Sequence, residues 1–247
     1  TRYGSSAASD VYKRQNKSSL MQNYKKNLEL LTKNHVYSKE MEHDACGVGL
    51  IASTEGKKSR AIVEYGIEAL KAVWHRGAVD ADGKTGDGAG IHVEIPKDFF
   101  IEKIQVTGHD YDNSEICVGM IFLPRNDYSA QESCKTIVES ELTKNNFSIY
   151  GWRQVPVNSK VLGEKALQTM PEIIQVLFKP NDPNLLDKNL ERKIYEIRKR
   201  IENKAFDASL NNFYICSISS KSIIYKGLYL AEALSDFYLD IRDPRFI

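Results

Sequence analysis

The chain has 247 residues, of which 42% are hydrophobic and 27% are charged, so its composition is that of an ordinary globular protein with ample material for a core. Its net charge of +1 argues against a nucleic-acid or anionic-membrane partner, and we predict neither. No apolar run approaches the roughly 18 residues of a membrane span, and the first thirty residues lack the apolar core of a secretory signal. We therefore predict a cytoplasmic protein.

The amino-terminal part of the chain divides into two segments. Residues 1–20 follow neither a helical nor a strand period, and we interpret them as an artefactual or disordered leader. Residues 21–45, which begin at Met21, are interpreted as a propeptide-like leader. The predicted functional domain is 46–247, and its last residues carry no helix stop signal, so we expect a domain that is cut short.

From residue 46 onward, strand-like and helix-like segments alternate. The pattern predicts strands at 46–53, 88–96, 117–124, 147–157 and 172–178, helices at 59–75, 128–144 and 185–204, and a paired hairpin of 213–220 with 222–230. Because the helices stand as blocks between strands that pair locally, we predict layered α and β structure with mostly antiparallel sheets instead of a doubly wound parallel sheet.

The stretch EHDACGVG places a thiol, Cys46, at the start of a predicted strand, where Gly47 and Gly49 leave room for a ligand beside the backbone. A free thiol is mostly protonated at neutral pH, so a nucleophilic Cys46 needs a base. His43 could serve, or the α-amine of Cys46 itself if the chain were cleaved after Ala45. A buried, inert structural cysteine is the alternative that the residues leave open.

The stretch WHRGAVDADGKTGDGAGI, residues 74–91, is rich in glycine and aspartate. It could cradle a phosphate, but it lacks the nucleotide-binding glycine spacing and leads into a predicted strand instead of a helix. It could also wrap a small substrate whose carboxylate is held by Arg76, or form a solvated turn.

The remaining candidate residues give weaker indications of a functional site. The four cysteines are widely spaced and the five histidines form no cluster with them, so we predict no disulfide, no metal site and no cofactor within this chain. Trp152 and Arg153, on a predicted strand, either line a pocket or belong to the core.

Five stretches follow one another along the chain, namely EHDACGVGLIA, HRGAVDADGKTGDGAGI, GWRQVPVNSKVLGE, YICSISSKSIIYKGLYL and DPRF. Taken together and in this order, they resemble the amino-terminal glutaminase domain of the glutamate synthase large subunit. The resemblance extends from Glu42 to Phe246.

This resemblance implies a class II glutamine amidotransferase with an α+β fold, the N-terminal-nucleophile hydrolase sandwich of four layers, αββα. It implies that Cys46 becomes the first residue and the catalytic nucleophile, with its own α-amine as base, and that Arg76 and Gly77 bind glutamine. Ammonia released from glutamine would pass to downstream synthase domains of the same chain. Those domains use FMN and an iron–sulfur cluster, and a small reductase subunit is compatible with the resemblance.

Two departures from the family pattern bear on activity. The family takes its oxyanion hole from an Asn-Gly segment, and this chain contains no Asn-Gly dipeptide. Cys46 is also internal in the sequence as written, so its amine is an amide. We therefore expect this polypeptide to be inactive alone. The alternatives are a glutaminase domain of another class II amidotransferase, such as an amidophosphoribosyltransferase-like enzyme, a non-catalytic nucleotide-binding module built on the glycine loop, and an interaction domain with an inert cysteine.

Overall fold

A computed structural model describes residues 47–73 and 79–247, together with eight exposed helical positions between 22 and 33. The chain divides into two compact units, Thr1–Ala45 and Cys46–Ile247. The helices and strands from Arg60 onward belong to the second unit.

The helices and strands of this unit are as follows. The helices are α1 (Arg60–Ala72), α2 (Lys97–Val106), α3 (Tyr128–Lys144), α4 (Glu164–Thr169), α5 (Asp187–Asp207) and α6 (Leu234–Phe237). The strands are β1 (Ala89–Glu94), β2 (Cys117–Leu123), β3 (Phe147–Gln154), β4 (Glu172–Pro180), β5 (Tyr214–Ser219) and β6 (Ser222–Gly227). Short 3₁₀ turns lie at Ser159–Val161, Ala231–Ala233 and Leu239–Arg242.

The described strands form two sheets, and every pairing in them is antiparallel. One sheet has four strands in the order β3-β4-β2-β5, and the other pairs β1 with β6. Helix α1 contacts β1, the two sheets meet through β6, and α3 and α5 lie against the four-stranded sheet. The predicted α+β class, with mostly antiparallel sheets in a helix–sheet–sheet–helix sandwich, is confirmed.

Side chains of β2 alternate between two cores, because successive residues of a strand point to opposite faces. Cys117 and Ile121 join the core beneath α3 and α5, whereas Val118 and Met120 join the core shared with β6. A strand buried on both faces reads as a continuous apolar run, which explains the sequence CVGMIFL. The helix α5 closes the first core with four residues at helical spacing, namely Leu190, Ile194, Ile197 and Ile201.

The second core holds a buried ion pair at its centre. Arg153 on β3 donates two hydrogen bonds to the Asp240 carboxylate at 2.7 and 2.6 Å, and the two side chains are only 13% and 3% exposed. The Tyr225 hydroxyl donates to the same carboxylate at 3.1 Å, and the Gln175 amide oxygen accepts from Arg153 at 2.7 Å. This network connects β3, β4 and β6 to the turn after α6, so Arg153 belongs to the core.

The predicted hairpin of β5 with β6 is wrong. The two strands follow each other closely, but β5 pairs with β2 and β6 pairs with β1. In place of a ladder bond, the Ser217 hydroxyl accepts from the Ile224 amide at 3.1 Å. Glu191 of α5 holds the intervening turn by accepting from the Ser220 amide and hydroxyl, both at 2.7 Å. The chain therefore turns a corner from one sheet into the other.

The predicted strand at 46–53 is also wrong in its described part. Residues 47–53 have no strand conformation, and Val48 and Leu50 are 92% and 88% exposed. A strand needs a partner for its backbone groups, and β1 pairs with β6 alone among the described strands.

Candidate active site

The residues predicted to carry the chemistry lie outside the described part of the chain. These are the nucleophile Cys46 with the alternative base His43, and the substrate-binding pair Arg76 and Gly77. The structure does describe the segment 47–73, which lies along the chain between Cys46 and Arg76. The site is therefore described from the residues of this segment.

Gly47 and Val73 line the same groove, which we call the α1–β1 groove. It has a volume of about 720 Å³ and is lined by the segment 47–53, one face of α1, the strand β1 and Ile247. Gly47 follows Cys46 directly, and Val73 precedes Arg76 by three residues. The groove thus adjoins, along the chain, both the expected thiol and the expected arginine.

The helical wall of this groove is the apolar face that the sequence predicts for α1. Ile62, Ala69, Leu70 and Val73 are half-buried there, whereas the neighbouring Val63 and Ile67 are buried in the core. At Gly66 a side chain would begin 3.5 Å from Ile91 of β1, so helix and strand approach closely. An apolar wall of this kind limits the access of water to the groove.

Polar groups stand at the other side of the groove. Lys58 and Glu94 form an exposed ion pair at 2.5 Å. On β1, the Nε2 atom of His92 lies 2.7 Å from the Ser222 hydroxyl of β6, a hydrogen bond whose direction depends on the tautomer. These contacts join β1 to Lys58 and to β6.

The glycine- and aspartate-rich segment is anchored against the start of α4. The Asp82 carboxylate accepts hydrogen bonds from the Thr85 hydroxyl and amide at 2.5 and 2.7 Å and from the Lys84 amide at 2.9 Å. These bonds hold the pKa of Asp82 well below its ordinary value. The Thr85 hydroxyl accepts in turn from the Ala166 amide at 3.3 Å, and Lys165 pairs with Asp80 at 2.7 Å, which lowers the pKa of Asp80. The segment that follows Gly77 is therefore held in place by α4.

The glycines of this segment permit close packing of backbones. A Cβ atom at Gly86 would lie 2.7 Å from the Tyr229 carbonyl oxygen, and one at Gly90 would lie 2.8 Å from that of Tyr225. The segment then enters β1. A phosphate-binding glycine loop requires a helix at this point, so the nucleotide-binding alternative finds no support in the described structure.

The three described cysteines are poor nucleophiles. Cys117, Cys134 and Cys216 are buried free thiols. Burial raises the pKa of Cys134 and of Cys216 to about 11, and it raises that of Cys117 as well. A thiol reacts as its thiolate, so none of the three is suited to attack an amide near neutral pH.

Sequence reasoning missed the partner of Arg153. Asp240 lies 87 residues away and had no predicted role, although it interrupts the apolar run YLDI. A carboxylate within such a run suggests a buried partner, but the sequence does not indicate which. Trp152 packs partly buried beside the core under α3, with its indole N–H donating to Glu139 at 2.6 Å.

Comparison with known proteins identifies the family. The model of the class II glutamine amidotransferases matches residues 46–247. The chain belongs to this family. Over 223 residues, 90% of this amidotransferase chain, it is 53% identical to the glutamate synthase (NADPH) large chain of Azospirillum brasilense. It is 39% identical over 207 residues to ferredoxin-dependent glutamate synthase 1 of Arabidopsis thaliana, and 37% identical over 206 residues to ferredoxin-dependent glutamate synthase 2 of Synechocystis; each match covers 83% of the chain.

These matches confirm the resemblance to the glutamate synthase large subunit. The chain spans 13 to 15% of the length of these three relatives. Among the described residues, no cluster of three or more His, Cys, Asp or Glu side chains could hold a metal, so they do not fit an iron–sulfur cluster. None of the described helices is long and apolar enough to cross a membrane.

Proposed function

We propose that the chain supplies the glutamine-hydrolysing site of a glutamate synthase, with Cys46 as nucleophile. The observation that carries the proposal is the family match, which begins at Cys46 itself. The raised pKa values of Cys117, Cys134 and Cys216 support it, because they leave Cys46 as the thiol available for catalysis.

In the proposed reaction, removal of the chain up to Ala45 frees the α-amine of Cys46. This amine takes the thiol proton, and the thiolate attacks the side-chain amide carbon of glutamine. The carbon–nitrogen bond breaks, and the amine returns the proton to the departing nitrogen, which leaves as ammonia. Water then cleaves the thioester, giving glutamate and the free thiol. The guanidinium of Arg76 binds the substrate carboxylate, and Gly77 lets the backbone approach the substrate.

The α1–β1 groove supports this proposal as a place for the substrate. Its lining includes Gly47, next to the proposed nucleophile, and Val73, close to the proposed arginine. Its volume of about 720 Å³ lies within the usual range for a small-molecule site, and α1 gives it an apolar wall. The bonds of Asp82 and Thr85 to each other and to α4 support a fixed position for residues 82–85, which follow Arg76 and Gly77 along the chain.

For the whole protein, we propose that the ammonia serves a synthase site in a further part of the same polypeptide, where FMN and an iron–sulfur cluster act, with a small reductase subunit as a further partner. The identity to glutamate synthases supports this acceptor over those of other class II amidotransferases. We further propose that 21–45 is a propeptide and that 46–247 belongs to the amidotransferase domain. A cytoplasmic location agrees with the three free thiols among the described residues.

The test is to express the complete gene and determine the mature amino terminus by sequencing and intact mass. The glutamine analogue 6-diazo-5-oxo-L-norleucine then labels the reactive thiol. We expect a chain that begins at Cys46 and gains one label, no label in Cys46→Ala, and normal labelling in the matched variant Cys134→Ala. An active enzyme that retains its leader, or a Cys46→Ala variant that is labelled as strongly as the unchanged protein, would overturn the proposal.

A further inference from the structure

A second groove lies elsewhere in this unit, and we call it the α4–β6 groove. It is formed by the end of β2 with the turn that follows it (122–127), by α4 with its flanking residues (162–173), by 211–214 and by 226–229. Its volume is about 790 Å³, which is in the range of sites that bind small organic ligands. It shares no described lining residue with the α1–β1 groove.

The groove offers an apolar surface on which large side chains remain accessible. Leu162 and Ile173 contribute to its base, and Phe122 stacks against Tyr214 with the ring centres 5.8 Å apart. At the rim, Tyr214 is 44% exposed and Leu228 is 51% exposed. Apolar and aromatic side chains around a concave surface favour a ligand with an apolar body.

Two cations line the same groove without a carboxylate partner among the described residues. The Lys226 ammonium donates to the Tyr214 hydroxyl at 2.7 Å and lies 4.5 Å from the centre of that ring. Arg125 donates to the carbonyl of Leu167 at 3.3 Å. Both keep further N–H donors, since an ammonium has three and a guanidinium five.

The acidic side chain of this groove, Asp127, forms no ion pair with Arg125 or Lys226 in the described structure. Asp127 is the N-cap of α3, where its carboxylate accepts from the Ala130 amide at 2.9 Å. The two cations and one carboxylate of the lining leave the groove with an excess of positive charge.

We propose that the α4–β6 groove binds a small amphipathic organic anion with an apolar or aromatic body and a carboxylate head. The body lies against the apolar surface, and the carboxylate accepts hydrogen bonds from Arg125 and Lys226. The proposal stands independently of Cys46, because no step of glutamine hydrolysis is involved.

The test compares two probes that differ in charge, indole-3-acetate and its neutral amide, indole-3-acetamide. Binding is followed by methyl NMR, with Leu228 and Leu123 as reporters of the groove. It is measured in the 247-residue protein and in the enzyme expressed from the complete gene. We expect saturable shifts at these methyl groups in both proteins, with about tenfold weaker binding of the amide.

A charge-matched pair of variants locates the anion. Arg125→Gln with Lys226→Gln removes both groove cations, and we expect it to weaken indole-3-acetate binding about tenfold without changing indole-3-acetamide binding. Arg192→Gln with Lys221→Gln removes two exposed cations elsewhere and is expected to bind as the unchanged protein does. Equal affinity for the two probes, equal loss in both double variants, or no binding to the complete enzyme because another segment fills the groove would each overturn the proposal.

Discussion

The buried carboxylate of Asp240 gives the sharpest test of how the two sheets are held together. Asp240→Ala removes the partner of Arg153 and leaves a guanidinium that is only 13% exposed without its counter-charge. It also removes two short N–H···O bonds and the acceptor of the Tyr225 hydroxyl. Loss of one member of a buried pair costs about 3–5 kcal/mol, because the remaining charge stays desolvated.

We expect this loss in the free energy of unfolding, measured by urea titration, and a decrease in Tm of about 6–20 °C, at roughly 2–4 °C per kcal/mol for a chain of this size. The control is Glu196→Ala, which breaks an exposed ion pair with Arg192 and should cost at most about 1 kcal/mol. Replacing both members, by Arg153→Met with Asp240→Leu, should restore most of the stability. If Asp240→Ala costs no more than Glu196→Ala, Asp240 does not hold the sheets together as described.

Further predictions concern the thiol, acid stability and the packed glycines. Cys46→Ala should reduce glutamine hydrolysis by the mature enzyme to background in an ammonia-release assay, whereas Cys134→Ala should retain it; equal activity of the two variants would rule out the assigned nucleophile. Hydrogen bonds from Arg245 lower the pKa of Asp243 to about 2, so its contribution to stability is complete above the unfolded-state pKa of 3.8 and is lost as the pH falls towards 2. Asp243→Asn should flatten the decline in unfolding free energy between pH 5 and pH 2, and an unchanged slope would contradict this. Gly163→Ala should cost about 1–3 kcal/mol in urea titration because its Cβ would lie 2.2 Å from a carboxylate oxygen, whereas Gly49→Ala, whose Cβ would meet no described atom within 4 Å, should cost less than about 1 kcal/mol.

The elements that the sequence predicts well are those whose burial follows a local period. The bounds of α3 agree with the predicted 128–144, and the buried face of α5 includes all four residues expected from their spacing, together with Ala205. For α1, the predicted face lines a groove, whereas the buried residues of the helix are Val63 and Ile67, which are not in the predicted set. Periodicity locates an apolar face on a helix, but it does not reveal how closely the rest of the protein covers that face.

The wrong predictions concern which segments become neighbours. The two residues between β5 and β6 are typical of a hairpin, yet the ladder partners of these strands, β2 and β1, lie about a hundred or more residues earlier in the chain. The same limit applies to Arg153 and Asp240. At the candidate site, the sequence identified Cys46, Arg76 and Gly77 by their motifs, and these assignments remain predictions. The anchoring of the glycine-rich segment by α4 was not foreseen, because it joins segments about eighty residues apart.

The close contact at Gly163 also limits which substitutions this protein tolerates during evolution. Any side chain at position 163 would overlap Asp82 and Thr85, and the hydroxyl of Thr85 is needed by the first turn of α4. A larger residue on one side is therefore tolerated only when the facing loop changes in the same lineage. Position 163 and the loop that contains Asp82 and Thr85 are distant in sequence, and they should therefore covary among related proteins.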